Sequence, residues 1–586
     1  MKYVNAKIDG INVSVPEGTT IMEAADSIGS HVPRLCYHPS LSQEGACRIC
    51  VVDVVGSDKF LPACATKLQE GMSVKTNSPD IRQTRRDLVE LLLDNHPKSC
   101  LTCVRDGNCE LQNLAYKLGV RERLFEGERK MFPIENSSYS VVRDPQKCIL
   151  CQRCVRVCSQ IQGVNNLSQM YRGFNTVVTP AFEAKMDDSV CIKCGQCINV
   201  CPTAAFIEQD ATEEVWAAIN DPNKFVIAQT APAIRAALAE GFGYEPGTPS
   251  TGKSVTALRR LGFDAVFDTN FAADLTIVEE ANEFLQRFEK GENLPIITSC
   301  SPGWVKFMEH FYPEFINNMS SCRSPMTMLS VLIKHYYADI KGIDPENVYV
   351  VGVMPCTAKK YEAKRPEHYH EEGFPYTDSV ITTRELIWMI KAYGIDFQNL
   401  PEDEFDSPLG YSTGAGTIFG STGGVMEATL RTAYAKLTGN TIEKIEFTNV
   451  RAVEGLKEAS FEIAGETINV AVANGLANAK KLLELVKEGK KKYHILEIMA
   501  CPGGCVAGGG QPLPIAGKYS YPLDKEVTKK RQQALYTIDK DKPIRLSHEN
   551  PFIKKLYDEF LGEPGGDLAH KLLHTYYYPR TPKGIK

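Results

Sequence analysis

The chain has 586 residues, 43% of them apolar and 24% charged, with a formal net charge of −6. That profile fits a globular protein of roughly three to five domains, and its mildly acidic balance excludes a surface built for nucleic acid. No apolar run is long enough to span a bilayer and MKYVNAKIDG has no apolar core with a cleavage site. The reading is therefore a cytoplasmic protein with no membrane partner, whose twenty cysteines serve as metal ligands rather than disulfides.

Fifteen of the twenty cysteines precede residue 202. The chain opens with apolar alternation in YVNAKIDGINVSV, which predicts a β-hairpin turning at Asp9-Gly10. TIMEAADSIG then reads as a short helix. Cys36, Cys47, Cys50 and Cys64 follow as C-x10-C-x2-C-x13-C. Four thiolates on a loop beside a small sheet suit a [2Fe–2S] cluster in a β-grasp-like domain over residues 1–80, with a longer first gap than the plant-type spacing. A structural zinc site usually shows two CxxC knuckles, and only one is present.

Residues 81–95 carry helical periodicity in Ile81, Leu88, Leu91 and Leu92. HPKSCLTCVRDGNC then brings His96, Cys100, Cys103 and Cys109 within reach of one metal centre. A neutral imidazole can replace a thiolate on iron, so the expectation over 81–120 is a small His-Cys₃ [4Fe–4S] domain, with a zinc knuckle as the competing reading.

Residues 138–210 hold CILCQRCVRVC and CIKCGQCINVCP, each a C-x2-C-x2-C-x3-C run. This duplication is the bacterial 2[4Fe–4S] ferredoxin pattern, in which the fourth cysteine of each run crosses to the other cluster. One cubane would take Cys148, Cys151, Cys154 and Cys201, the other Cys191, Cys194, Cys197 and Cys158. The first 210 residues thus read as an electron wire of four clusters.

From residue 222 apolar runs alternate with helical stretches, which predicts α/β lobes with mainly parallel sheets. EPGTPSTGKS matches GxxxxGKS, but AEGFGYEP before it is not a strand; TGKSVTALRRLG reads instead as a helix capped at Ser250 or Thr251, with Val255, Leu258 and Leu261 inward. GAGTIFGSTGG lacks the dinucleotide spacing and reads as close backbone approach to a bulky ligand or a neighbouring helix. Three strand-like runs end at a cysteine: ITSC (Cys300), VVGVMPC (Cys356) and LEIMAC (Cys501), and CPGGC adds Cys505. Ligands collect at the carboxyl ends of strands in open α/β sheets, so these thiols mark a candidate site.

At ITSCSPGW, MPCTAKKYE, GAGTIFGSTGGVMEA and EIMACPGGCVAGGGQ the chain resembles the iron-only, or [FeFe], hydrogenases, and with the cluster-binding front the resemblance covers nearly the whole chain. The architecture it implies is multidomain α/β and α+β, ending in a two-lobed catalytic domain over 222–586 whose tail from about 520 is small-subunit-like. The activity it implies is reversible reduction of protons to H2 at an H-cluster, a [4Fe–4S] cubane joined to a diiron unit bearing CO, CN and a dithiolate amine. Cys356, Cys501 and Cys505 would bind the cubane and Lys359 a cyanide. Met354 and Met499 would pack on the diiron unit. Protons would pass through Cys300, Glu280, Ser320 and Glu283.

The usual family form, TSCCPGW, has a second cysteine where this chain has Ser301. Either Cys300 ligates the cubane while Ser301 or water relays protons, or Cys300 relays and the cubane takes another fourth ligand. Thiolate preference of iron–sulfur clusters favours the first. Cys322 is a core thiol or a substitute ligand. The electron partner is ferredoxin, or flavin- and NAD(P)-binding subunits of a larger complex, some of which are electron-bifurcating, and maturation proteins install the diiron unit. The competing functions are an iron–sulfur subunit of an NADH or formate dehydrogenase, which would lack MPCTAKKYE and MACPGGC, and an H2 sensor of low turnover.

Overall fold

The structure is a computed structural model that describes residues 2–122, 125, 127–439, 455–514 and 523–581. The first unit is a five-stranded sheet in the order β2-β1-β5-β3-β4, built from β1 (Tyr3–Ile8), β2 (Ile11–Pro16), β3 (Val51–Val54), β4 (Leu61–Pro62) and β5 (Ser73–Lys75). The β1–β2 hairpin turns at Asp9 and Gly10, both at positive φ (50° and 84°), as a type I′ turn requires. The Ile21–Ser27 helix packs on this sheet. It starts with a capping box in which Thr20 and Glu23 exchange hydrogen bonds, satisfying two of its free N–H groups.

The Pro79–Asp94 helix is capped by Ser78 and leads into the segment holding His96. The next unit carries two short hairpin-like pairs, β6 (Val141–Arg143) with β9 (Phe206–Glu208), and β7 (Ser168–Met170) with β8 (Val177–Thr179).

The body contains two four-stranded sheets. One runs β11-β10-β13-β14, all parallel: β10 (Phe225–Thr230), β11 (Ala265–Asp268), β13 (Val348–Met354) and β14 (Ser379–Thr382). The other runs β12-β17-β16-β15, from β12 (Ile296–Ile297), β15 (Leu456–Ile463), β16 (Glu466–Asn474) and β17 (Ile495–Met499). Three of its strands are parallel and only the edge strand β15 is antiparallel. Apart from the exposed edge strand β15, the strands of both sheets are apolar and largely buried, as expected where helices cover both faces. The 22-residue Thr269–Lys290 helix lies between the lobes, its N-terminal two thirds buried throughout.

The tail is part of this body. Asp539, on the Lys525–Asp541 helix, pairs with fully buried Arg431 (3.0 Å) and with partly exposed Arg545 (2.6 Å). Asp274 of the long helix accepts from Thr413 (2.6 Å), Ser547 (2.7 Å) and Asn550 (3.2 Å). Residues 520–522 and 582–586 of the expected tail lie outside the described residues.

The GKS segment is the start of the Thr251–Leu261 helix, with Val255, Leu258 and Leu261 buried. Ser250 is its N-cap but makes no capping bond. Lys253 Nζ donates to the Gln398 carbonyl at 2.6 Å, which ties it to backbone rather than leaving it for a phosphate. In GAGTIFGSTGG a Cβ on Gly414 would lie 2.1 Å from Asp539 Oδ1 and one on Gly416 2.4 Å from the Asn270 carbonyl. The close approach is to neighbouring helices.

Candidate active site and its iron–sulfur relay

β12, β13 and β17 deliver Cys300, Cys356 and Cys501 at or just beyond their carboxyl ends. The CPGG turn after Cys501 folds back to add Cys505, and it does so on glycines. A Cβ on Gly504 would lie 2.5 Å from the Thr422 nitrogen, and one on Gly508 2.2 Å from the Pro355 carbonyl. Cys501 and Cys505 neighbour each other and Cys356. Burial is the main cause raising all three thiols, and their mutual proximity adds to it for Cys501 and Cys505. A dry pocket of converging thiols disfavours thiolate unless a cation enters, and iron reverses that preference.

Lys359 lies beside Cys356 and Cys505. Its ammonium is largely buried and meets Glu362 Oε2 at 2.7 Å, with no hydrogen-bond acceptor beyond that ion pair among the described residues. An ammonium has three N–H donors, so donors remain for an anionic ligand in the chamber. The residues present thus fit an iron cluster with anionic diatomic ligands.

Cys300 sits on the other side of this chamber. It packs among Ala273, Ile277, Phe419 and Met499. Burial, then Cys505, Glu280 and Glu497, push its thiol upward, against a smaller opposing effect of Lys359. Ser301 turns the other way, its hydroxyl accepting from the Ala500 N–H at 3.3 Å, next to Cys501. Met499 shares the apolar wall with Cys300, and Met354 is buried in the core of the first lobe.

From Cys300 a line of oxygen groups runs outward. Glu280 is fully buried and pushed up to about 8, chiefly by desolvation, and it is hydrogen-bonded to Ser320. The Ser320 hydroxyl donates to Glu283 Oε2 at 3.3 Å. Glu283 is half-buried and pairs with Arg287 at 2.5 Å. Glu280 and Glu283 lie three residues apart on one face of the long helix. Cys322 lies beside Glu283 and near Glu280, away from the other thiols, so it is no substitute at the Cys356–Cys501–Cys505 group.

The accessory cysteines converge as four sets. Cys36 contacts Cys47 and Cys64, and Cys64 contacts Cys50. His96, Cys100, Cys103 and Cys109 line one small cavity. His96 Nδ1 lies 3.2 Å from the Pro97 carbonyl, which can only accept, so the neutral ring has Nε2 as its basic nitrogen. Cys148, Cys151 and Cys154 surround Cys201, and Cys191 and Cys197 neighbour Cys158 and Cys194.

The first two sets both abut the same ferredoxin set. Arg156 donates to the Cys36 carbonyl (2.6 Å) and to the Cys151 carbonyl (3.1 Å), joining the loop of the first domain to that cluster. Glu110 N–H donates to the Pro202 carbonyl (3.0 Å), and its carboxylate pairs with buried Arg153 (2.7 Å), so the His96 domain docks beside Cys201. The second ferredoxin set meets the catalytic chamber: Cys194 neighbours Cys501, and Gln196 Nε2 donates to Cys501 Sγ at 3.2 Å.

Sequence reasoning missed three groups here. Gln196 carries no signal within its CxxC run. Glu497 is fully buried, is pushed up to about 7 by desolvation, and accepts the Gly423 (2.6 Å) and Met426 (2.7 Å) N–H groups. A lone carboxylate inside the apolar run YHILEIM was the readable sign of it. His574 is considered below.

Fold and site together place cysteine sets of iron–sulfur type beside a buried chamber of converging thiols, the arrangement of an iron–sulfur oxidoreductase. Residues 224–509 match the family model for the iron only hydrogenase large subunit, C-terminal domain, and 525–580 that for the iron hydrogenase small subunit. Residues 1–79, 85–123 and 147–205 match a 2Fe-2S iron-sulfur cluster binding domain, the NADH-ubiquinone oxidoreductase-G iron-sulfur binding region and a 4Fe-4S dicluster domain. The chain is 49% identical to the NADP-reducing hydrogenase subunit HndD of Solidesulfovibrio fructosivorans, over 99% of this chain and 100% of that one. It is 42% identical to iron hydrogenase 1 of Clostridium pasteurianum, over 97% and 99%. The solved apo [FeFe]-hydrogenase HydA1 from Chlamydomonas reinhardtii is 43% identical, with a TM-score of 0.57, covering 63% of this chain and 99% of that one. The chain belongs to the iron-only, or [FeFe], hydrogenase family. This sets aside the reading as an iron–sulfur subunit of a dehydrogenase, which only the front modules supported.

Proposed function

We propose that the protein interconverts protons and H2 at an H-cluster that Cys356, Cys501 and Cys505 would hold. Bound there, the cluster would supply the redox-active, open-sited metal that this reaction needs. Lys359 would hold an anionic ligand by its spare donors, and Met354 and Met499 keep the chamber dry. Cys300 acts as the last proton relay, taking protons from Glu280, which receives them through Ser320 from Glu283. Its place opposite Ser301, toward Glu280, supports this over ligation, and Ser301 faces the cubane side. The observation that carries the reading is the convergence of three thiols from distant strands with a buried ammonium, next to a buried carboxyl that desolvation pushes upward.

The front modules carry one [2Fe–2S] cluster, ligated by Cys36, Cys47, Cys50 and Cys64, and three [4Fe–4S] clusters. Domains 1–80, 81–120, 138–210 and 222–586 are the working units. Electrons come from ferredoxin or from flavin- and NAD(P)-binding partner subunits. The full-length likeness to a subunit named as NADP-reducing supports the second source. Maturation proteins supply the diiron unit, and the many reduced thiols suit a cytoplasmic setting. Infrared spectra of the matured protein, together with H2 evolution from reduced methyl viologen, test this directly. Bound CO and CN bands with rapid turnover are expected; bands without turnover mean a sensor, and neither means the reading is wrong.

A further inference from the structure

The proton line described above ends at Glu283, and the tail of the chain places an unassigned imidazole on it. Residues 573–575 run along residues 321–323: Arg323 N–H donates to the Leu573 carbonyl (2.8 Å) and Thr575 N–H to the Ser321 carbonyl (2.7 Å). This fixes His574, a buried residue, over Ser321. Ser321 Oγ lies 2.7 Å from His574 Nδ1 and donates to Glu283 Oε1 at 3.1 Å. On the other side His574 Nε2 lies 3.1 Å from Glu279 Oε2. Glu279 is itself buried, and it also accepts from the Tyr557 hydroxyl and from the Gly565 N–H (2.9 Å).

Outward of this group lies a cavity of about 210 Å³, lined by His574, His570, Ser321, Glu279 and Glu283 among others. His570 is exposed and stacks on His574, with ring centroids 4.7 Å apart and planes at 13°. The groups facing His574 are thus Glu279 and, through Ser321, Glu283 from the long helix, with Arg287 paired to Glu283. Cys322, Tyr557 and His570 come from other elements, and Lys436 lies near Glu279. His574 is thus held between the Glu279 carboxylate and the Ser321 hydroxyl that leads to Glu283, and imidazole is the side chain that exchanges protons near neutral pH.

We propose that His574 is a proton-collecting residue, gathering protons from the cavity and passing them through the Ser321 hydroxyl to Glu283. Each passage moves one proton along an existing hydrogen bond. His574 Nδ1–H gives its proton to Ser321 Oγ as the Ser321 hydroxyl proton passes to Glu283 Oε1. The imidazole regains a proton from acidified water in the cavity. A second feeder of this kind makes the small-subunit-like tail part of the proton supply rather than a brace alone. The inference rests on the hydrogenase reading above.

The test uses the full matured chain. His574→Gln keeps hydrogen-bonding capacity but cannot charge. It is expected to lower methyl viologen-driven H2 evolution about five- to tenfold near neutral pH and to change the shape of the rate's pH profile, with iron content and CO and CN bands unchanged. In His574→Gly, millimolar free imidazole is expected to restore most of the loss through the cavity, which a purely structural role would not allow. Ser321→Ala breaks the same relay without touching the imidazole; it should show the same loss, insensitive to imidazole, and it decides the matter if His574 variants fail to fold. Wild-type rates and pH profile in Ser321→Ala, or loss in His574→Gly that imidazole does not relieve, overturn the proposal. Absence of H2 evolution and of infrared bands in the wild type would instead overturn the hydrogenase reading itself.

Discussion

The cluster-bearing front and the catalytic body solve the same problem, gathering sulfur around iron, by opposite means. In the front, ligands are near neighbours in sequence: Cys148, Cys151 and Cys154 come from one loop, and only Cys201 arrives from its repeat. In the body Cys356, Cys501 and Cys505 come from two different sheets. A local loop can nearly assemble its ligands by itself, whereas the body must complete two sheets and a tail before its thiols meet. The front therefore depends on metal for much of its order, and the body on burial.

The sharpest way to break this comparison is at the body's thiols. Cys501→Ala should abolish turnover, by at least about 10³-fold, and remove the catalytic cubane while the accessory cluster signals survive in low-temperature EPR. Loss of all signals together would mean that front and body do not assemble independently. Next comes Cys300→Ala, expected to slow H2 evolution about 10²- to 10⁴-fold with the iron content of the unmatured protein unchanged. Loss of about four irons per chain would make Cys300 a ligand after all.

Glu280→Gln should cost about 10²-fold in rate and also alter stability. Burial pushes Glu280 from its ordinary value of 4.5 up to about 8. The folded state therefore keeps a proton that the unfolded chain releases. The stability tied to this group is fully present below about pH 4.5 and is lost as pH rises toward about 8. Melting temperatures of Glu280→Gln measured across that range should fall less steeply with pH than those of the wild type.

In the front, Arg156→Ala removes three carbonyl partners at the joint between the first domain and the ferredoxin unit. The buried Cys36 and Cys151 carbonyls lose this donor, so the joint should weaken by about 1–3 kcal/mol. Faster hydrogen exchange at residues 36–42 and slower reduction of the [2Fe–2S] centre would show it. The smallest effect is expected for Lys253→Ala, in the GKS segment: under about 1 kcal/mol of stability by thermal melting, and no change in turnover.

The same contrast governs what the sequence made legible. Each grouping of the front cysteines could be read from spacing, because its members sit close together in the sequence. The hairpin at Asp9-Gly10 and the helix at TIMEAADSIG were equally plain, since turn and cap residues act locally. In the body the strand-end cysteines were visible, but their mutual approach was not. Nor could spacing say which way Cys300 and Ser301 turn. Adjacent residues of an extended segment face opposite sides, and only the packing of Ala500 against Ser301 and of Met499 against Cys300 assigns the sides. His574 lay beyond reach for the same reason. It lies 295 residues from Glu279 and 253 from Ser321, and nothing in AHKLLHTYYY announces either partner.

The joint between the last ferredoxin loop and the catalytic chamber has a practical consequence. A Cβ on Gly195 would lie 2.4 Å from Thr357 Oγ1, and one on Gly509 would lie 2.3 Å from the Cys194 carbonyl. Thr357 also donates to the Lys193 carbonyl at 2.8 Å. The two surfaces are keyed like lock and ward. Anyone splicing a foreign ferredoxin module onto this enzyme, or lending its own to another, must transplant both faces of that seam together, or the current will stop at the graft.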